Sequence, residues 1–354
     1  MSVDVVRGHL QAYDWGPVDG LAGWTPATGG PQAELWFGSH PNGPSRLRAT
    51  GATATTPMPI LTKLLAAARP LSIQIHPPAD MADALYEAQS ADPGLPRLLS
   101  DPHPKTEILI ALEPFVILLG LRPMKESAAV LGHLGEQLDG PAAALVAGDV
   151  RAAIRGLLAV PDEQVSDLID RLPASAAAAG LPRATVEVIQ EVARDYPGDR
   201  GVLVALLLND RTVEPGQAVY VEPGTVHAYV RGTGVEVMTN SDNVLRLGLT
   251  GKTVAVDAAL AALSVTARPE LLDPPEIAGV RTYAPAGAPF EVRLLRSTEF
   301  AVPGGAACTV VCLQGSARVG GQTLAPGDGM LIPAGGTGTA VFTDGLVVLA
   351  QHLS

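Results

Sequence analysis

Side chains that coordinate divalent cations stand at four places in this sequence. They are Gln74 and His76 in LSIQIH (71–76), Glu107 in KTEILIAL (105–112), and His227 directly after the second Pro-Gly of EPGQAVYVEPGTVHAY (214–229). Two imidazoles, one amide oxygen and one carboxylate form a set that zinc accepts, and a catalytic zinc keeps a further position open for water or substrate. With both histidines neutral, the ion would keep a net charge of about +1, enough to polarise a carbonyl or hydroxyl oxygen. No thiolate belongs to the set, which sets it apart from cysteine-rich structural zinc sites, and ligand type alone also admits manganese, iron or cobalt.

Three groups suit proton transfer and charge stabilisation beside such an ion: Glu236, Arg246 and Lys105. A carboxylate next to a cation can serve as general base, and an arginine stays charged to steady an enediolate. Lys252, at a glycine turn, suits a phosphate as a point charge. Lysine occurs only at 63, 105, 125 and 252. In a chain that otherwise uses arginine, a retained lysine offers a compact, tunable amine. Each residue taken singly also has an ordinary reading as half of an ion pair, Lys105 with Glu107 above all. Together on one interior they favour a site that moves a proton on an anionic sugar.

The elements that must position these groups are strands. In Leu71–His76 the alternation is strict, with Leu71, Ile73 and Ile75 on one face and Ser72, Gln74 and His76 on the other, until Pro77 and Pro78 end the ladder. Lys105 and Glu107 share a face opposite Thr106, Ile108 and Ile110. Residues 212–229 read as strand, turn, strand, with Pro-Gly at each bend. Together these strands are expected to bring the four ligand positions onto one cation inside a β-barrel. Tyr13, Trp15 and Trp36 lie near glycines and suit either a pocket wall or the core, while His40, before Pro41 in a polar loop, reads as a solvated side chain.

The rest of the chain frames that site. From Lys125 to Arg194 the sequence turns Ala- and Leu-rich, with Val165, Leu168, Ile169 and Leu172 at helical spacing and Pro141, Pro161, Pro173 and Pro182 dividing it into about four helices. YPGDRGVLVALLLND (196–210) is expected to return the chain to β structure, and VAVDAALAAL reads as a short helix before a linker near 264–275. The segment 276–354 is all β in pattern. Within it APGDGMLIPAGGTGTAVF (325–342) echoes EPGQAVYVEPGTVHAYVR (214–231), with Thr337 or Gly338 where the first copy has His227. Two related β-barrel units are expected, the second without the ligand. Cys308 and Cys312 share one strand face and read as small buried apolar residues.

A formal charge of −12 with no basic block argues against nucleic acid and anionic membranes as partners. No apolar run reaches the ~18 residues of a membrane span; ILIALEPFVILLG is broken by Glu113 and Pro114. The first residues have no charged-then-apolar signal pattern, so a cytoplasmic protein is expected.

The motifs YDWG, AELWFGSHP, LSIQIHP, PHPKTE, YPGDRGVLVALLLN, PGTVHAY and GVEVMTNSDNVLRLGLTGK, spread over residues 13–252, resemble those of type I mannose-6-phosphate isomerases. The last third matches in pattern only. The resemblance implies a mainly β fold with a helical insertion: two cupin-type jelly-roll barrels plus an α-helical domain. It divides the chain into a discontinuous catalytic barrel (1–122 and 200–264), a helical insertion (123–199) and a C-terminal barrel without metal ligands (265–354). It implies one zinc ion per chain on Gln74, His76, Glu107 and His227, with Arg246, Glu236 and Lys105 catalytic. Lys252 is implied at the phosphate, and Ser72 and Trp15 in the pocket wall. The implied reaction interconverts mannose 6-phosphate and fructose 6-phosphate through a cis-enediol. The partner is then a phosphorylated hexose, and the chain acts as a monomer, with a weak homodimer as the other possibility. A cupin-type dioxygenase and a non-catalytic sugar-binding cupin are the competing readings. Pro104-Lys105-Thr106-Glu107 departs from the His-Lys-Pro-Glu of many family members, so the role of that histidine is open, with His103 a candidate to replace it.

Overall fold

The computed structural model describes residues 4–336 and 338–353, and it is mainly β, with strands in three sheets and a block of helices. The longest strand, His227–Thr239, belongs to two ladders in turn. Its first residues pair with Phe115–Leu121 and with Gln74, and from Gly232 onward it pairs with Ile60–Ala67 and Glu107–Ala111. The switch occurs at Gly232, whose φ is +136°. A Cβ there would stand 2.7 Å from the Phe115 ring, so only glycine lets the strand turn this corner. Bent in this way, the 11-stranded sheet folds over into two facing halves.

Side-chain alternation assigns each face of these halves to a different layer. On the half carrying Ile73–Ile75 and Phe115–Leu121, Ile73, Ile75, Val116 and Leu118 pack against the helices. The intervening Ile117, Leu119 and Tyr229 point inward and meet Leu65, Leu109, Val219 and Val221 from the other half. The outer face of that other half, including Leu64, Ile108, Ile110 and Val235, packs on Phe290, Val292, Leu331 and Val348 of the eight-stranded sheet. A further apolar layer, with Val310, Cys308, Cys312 and Leu349, lies between the eight-stranded and four-stranded sheets. Helices, half-sheet, interior, half-sheet and C-terminal sheets thus stack in sequence, each joined through an apolar cluster.

The described strand pairings leave every sheet open, so neither of the expected barrels closes by hydrogen bonding. The first strand, Asp4–Arg7, and Arg46–Leu47 add to the edge of the eight-stranded C-terminal sheet. Residues near the start of the chain therefore extend the sheet built mainly from its last third.

Two expectations about helices need correction. Pro173 lies inside the helix Asp162–Ala179 rather than ending one. The missing N–H costs one backbone bond, but Val165, Leu168, Ile169, Leu172 and Ala176 bury one continuous stripe that holds the helix through it. Pro161 and Pro182 do precede helices, and five α-helices fill residues 124–195. In 196–210, Gly201–Ala205 is helical and only Leu208–Val213 is strand. Every residue of GVLVA is buried, and a short run buried all round carries no period to separate helix from strand.

Cys308 and Cys312 are free, buried neighbours in one apolar layer, and burial pushes both thiols up to about 11. Of the two positions matched to His227, Thr337 lies outside the described residues and Gly338 is exposed.

Candidate active site

Glu107 is where the interior of the folded sheet concentrates its polar groups. It begins the strand Glu107–Ala111, and its neighbours across the ladders are Met238 and Val221. His227 Nε2 lies 3.1 Å from its Oε1, and His76 Nε2 lies 3.4 Å from its Oε2. All three residues are almost wholly buried. Both imidazoles are oriented from behind. His76 Nδ1 is 2.8 Å from the Asn243 carbonyl and His227 Nδ1 is 3.0 Å from the Thr225 carbonyl. A carbonyl only accepts, so each Nδ1 carries a proton, and each ring turns its Nε2 toward Glu107. Asn243 is itself fixed by donating to the Asp101 and His103 carbonyls at 2.7 and 2.8 Å. Tyr229 donates its hydroxyl to Glu107 Oε1 at 3.2 Å.

This arrangement fits a cation. One ligand atom from each of His76, Glu107 and His227 can be chosen so that all lie within 4.8 Å of one another. Ligands about 2.1 Å from a tetrahedral ion stand about 3.4 Å apart, close to the two contacts above. His76 Nε2 is buried without a hydrogen-bond partner, which suits a ligand atom. In this structure the compensating charge is Lys105, whose Nζ is 2.8 Å from Glu107 Oε2, the ordinary ion pair anticipated from sequence. Burial pushes His76 down to about 4, helped by the Lys105 charge. Burial works to raise the Glu107 carboxyl, but Lys105 and the histidines outweigh it and hold it well below the usual range. A neutral imidazole beside an ionised carboxylate is the protonation state that metal binding needs.

Gln74 reaches the same interior by register. It pairs with His227 on one side and Arg246 on the other, and directly paired residues project from the same face of a sheet.

A second buried cluster adjoins the first. Lys63 Nζ is 2.8 Å from Glu236 Oε2 and 3.7 Å from Glu34 Oε1, while Trp36 donates its indole N–H to Glu34 Oε2 at 2.6 Å. Lys63 is the register partner of both Glu236 and Trp36, so three adjacent strands converge here. Burial works against the Lys63 charge, but Glu236 and Glu34 overcome it and raise its pKa. Burial raises the Glu34 carboxyl, with Lys63 opposing. Sequence reading passed over Lys63 and Glu34. The signal was present: Lys63 is the one charged residue in ILTKLLAA, a strand buried throughout. A lone lysine in such a run must have partners inside.

Both clusters lie against a cavity of about 500 Å³. Trp15, Ser72, Gln74, Lys105, Arg246 and Lys252, all singled out from sequence, line it, as do Glu34, Trp36 and Lys63. His76, Glu107 and His227 lie deeper, as does Glu236, which meets the cavity only through Lys63. Burial lowers the Arg246 pKa, with Asp242 opposing. His40 is not solvated. It is buried against the edge of Trp36, with its Nε2 3.5 Å from Asp242, because the loop after Phe37 folds back under the cavity rim. His103 is exposed and stays out of the cavity wall, so it does not stand in for a histidine at position 104.

Comparison with known proteins adds three findings. A family profile described as "Phosphomannose isomerase type I, catalytic domain" matches residues 48–124. Mannose-6-phosphate isomerase of Escherichia coli (strain K12) is 29% identical over 375 residues, covering 92% of this chain and 93% of the relative. That of Shigella flexneri is 30% identical over 368 residues, covering 92% and 93%. A crystal structure of mannose 6-phosphate isomerase bound with zinc and yttrium matches with a TM-score of 0.87 at 26% identity, covering 100% of both chains.

Proposed function

This chain belongs to the type I mannose-6-phosphate isomerase family and is an aldose–ketose isomerase, and from that premise we infer that its buried centre holds one zinc ion on Gln74, His76, Glu107 and His227. The observation that carries the reading is the orphaned His76 Nε2 turned toward Glu107, which His227 Nε2 approaches at its other oxygen, with the second nitrogen of each imidazole already bonded. When bound, zinc supplies a Lewis acid for the sugar oxygens.

The protein's own groups do the rest. Mannose 6-phosphate and fructose 6-phosphate differ by one proton moved between C2 and C1 and one moved between their oxygens, through a cis-enediol. Lys105, at the cavity wall above Glu107, holds or delivers charge next to the reacting carbons. Glu236 acts from behind Lys63, fixing the ammonium that faces the cavity. Arg246 keeps its charge and steadies the enediolate oxygens. Lys252, with Ser72 and Trp15, takes the phosphate end. Half-burial of this wall strengthens each interaction relative to water.

We assign the catalytic unit to 1–122 and 200–264, the helical insertion to 123–199 and the metal-free unit to 265–354, each β unit a cupin-type jelly roll. Segregation of apolar clusters between the layers supports that division, although Asp4–Arg7 crosses to the last unit. The reading is of a monomer working in the cytoplasm. Among the described residues no helix is long and apolar enough to cross a membrane.

The test combines metal analysis with mannose 6-phosphate turnover on wild type and Arg246→Ala. The variant should fold, keep its zinc and lose about 100- to 1,000-fold in rate. Turnover that survives complete removal of the metal would end the zinc reading.

A further inference from the structure

We propose that Arg69 is a specificity-determining residue of this cavity, a second cation that joins Lys252 in selecting substrates that carry a phosphate. The inference rests on the sugar-phosphate reading of the site and extends it to a residue with no part in that reading.

Arg69 follows the strand Ile60–Ala67 and lies just before Ser72, and its side chain lines the same cavity as Ser72, Arg246 and Lys252. Its guanidinium is anchored along one edge only. Nε is 3.2 Å from Asp195 Oδ1, and Nη2 donates to the Asp195 carbonyl at 3.3 Å. The remaining nitrogen, Nη1, has only the solvent-exposed Asp14 carboxylate at 3.9 Å. The side chain is 41% exposed. A guanidinium that served only to tie the helical insertion to the sheet would gain most by using every donor on protein. This one leaves part of its fork open at a cavity wall, the geometry that suits bidentate recognition of phosphate.

Two chains of contacts bring Arg69 and Lys252 to the same end of the cavity. On one side, the Arg69 N–H donates to the Trp15 carbonyl at 3.2 Å, Trp15 stacks on Tyr13 at 5.7 Å, and Lys252 Nζ lies 5.9 Å from the Tyr13 ring centroid. On the other, the Tyr196 hydroxyl donates to the Pro70 carbonyl at 2.7 Å, and Asp199 donates its N–H to the Tyr196 carbonyl. Asp199 Oδ2 then accepts the Thr250 N–H at 3.2 Å, two residues before Lys252. These contacts enclose a rim on which two cations face a polar opening. The Asp195 anchor holds the long side chain in place before substrate arrives, which lowers the ordering cost of binding.

The experiment uses the metal-loaded full chain and reads two quantities: the steady-state constants for mannose 6-phosphate, and the affinity for inorganic phosphate by calorimetry. Arg69→Ala should raise both KM and the phosphate dissociation constant about tenfold while kcat stays within about twofold. Arg69→Lys, which keeps the charge but not the fork, should fall between. Asp195→Asn removes the anchor and leaves the cation, so both constants should change by less than about threefold. Unchanged constants in Arg69→Ala, or an Asp195→Asn variant that reproduces its full effect, would reduce Arg69 to a structural tie and overturn the proposal. A wild type without turnover would instead count against the isomerase reading, and the phosphate titration would still decide the role of Arg69.

Discussion

Residues 214–231 and 325–342 follow one local plan, Pro-Gly, short strand, proline and glycine, then strand, yet they enclose opposite interiors. The first copy runs through Ala218–Val221 and delivers His227 into a space that also holds Glu34, Lys63, Lys105, Glu107 and Glu236, all buried. The second runs through Asp328–Ile332 into a layer of Val310, Met330 and Leu349. Among the described residues beyond 265, the buried polar side chains are Thr309 and Asp328, and Asp328 is held at the start of its strand by Arg48 at 2.7 Å. The turn plan therefore sets backbone geometry and leaves the chemistry of the interior free. Burying an ion costs several kcal/mol unless it is paired. The first unit bears that cost repeatedly to keep reactive groups dry, and the apolar layers around the second help to stabilise the chain that carries it.

Removing the centre of the first interior is the most severe way to break this contrast. Glu107→Ala deletes the carboxylate between the two histidines and strands Lys105 without its counter-charge. Metal content should fall to background and turnover by about a thousandfold, with folding stability down by about 3–5 kcal/mol. Elemental analysis, kinetics and denaturant unfolding report each part. Leu349→Ala, in the dry layer of the second unit, should cost a comparable ~2–5 kcal/mol through its cavity alone. Its kcat/KM, measured well below the melting range, should match wild type. A large kinetic defect there would mean that the two units are not separable.

The contrast should also appear as a dependence on pH in the metal-free protein. His76 titrates at about 4 in the folded chain, below its ordinary 6.5, because burial penalises its charged form. A group depressed on folding contributes stability that is complete above the unfolded value and is lost as pH falls through the folded one. Between pH 6.5 and 4 that loss amounts to about 3 kcal/mol. Urea unfolding at pH 7 and pH 4.5 measures it. His76→Asn should flatten the slope by about one proton, and an unchanged slope would assign the acid sensitivity to other groups.

How much of this was legible in the sequence depended on whether a residue's partners were close along the chain. Strict alternation in LSIQIH, ended by two prolines, identified the polar face with Gln74 and His76, and Lys105 with Glu107 followed from the same rule. Position within the interior was not legible. Glu236 read as a free acid–base group, whereas its partner Lys63 is met only when two distant strands pair. The buried setting of His40 depends on Asp242, distant in sequence, as well as on the nearby Trp36, so its polar loop misled. Pro173 read as a break because local backbone preference was visible and the buried stripe that overrides it was not. Even the corner at Gly232 is one glycine among 38 until the Phe115 ring is seen against it.

The finest test makes one chemical change in both regions. Tyr229 and Tyr283 are buried tyrosines; the first donates its hydroxyl to Glu107, with Glu236 beside it, and the second donates to the Gly216 carbonyl. Burial, with the Glu107 charge, raises the Tyr229 pKa well above the ordinary value, so its proton stays in place as a donor. Phenylalanine keeps each ring, including the edge-on contact of Tyr229 with Phe115 at 5.5 Å, and deletes only the hydroxyl. Each substitution should cost about 1 kcal/mol of stability. Only Tyr229→Phe should also weaken metal binding, by about tenfold, since its hydroxyl orients the carboxylate that joins the two histidines. A chelator-buffered zinc titration of the two variants distinguishes them. Equal metal affinity would mean that His76, His227 and Lys105 already fix Glu107 and that the hydroxyl adds only stability. A difference near tenfold would show that the polar interior is tuned one hydrogen bond at a time, as the dry layer of the second unit has no need to be.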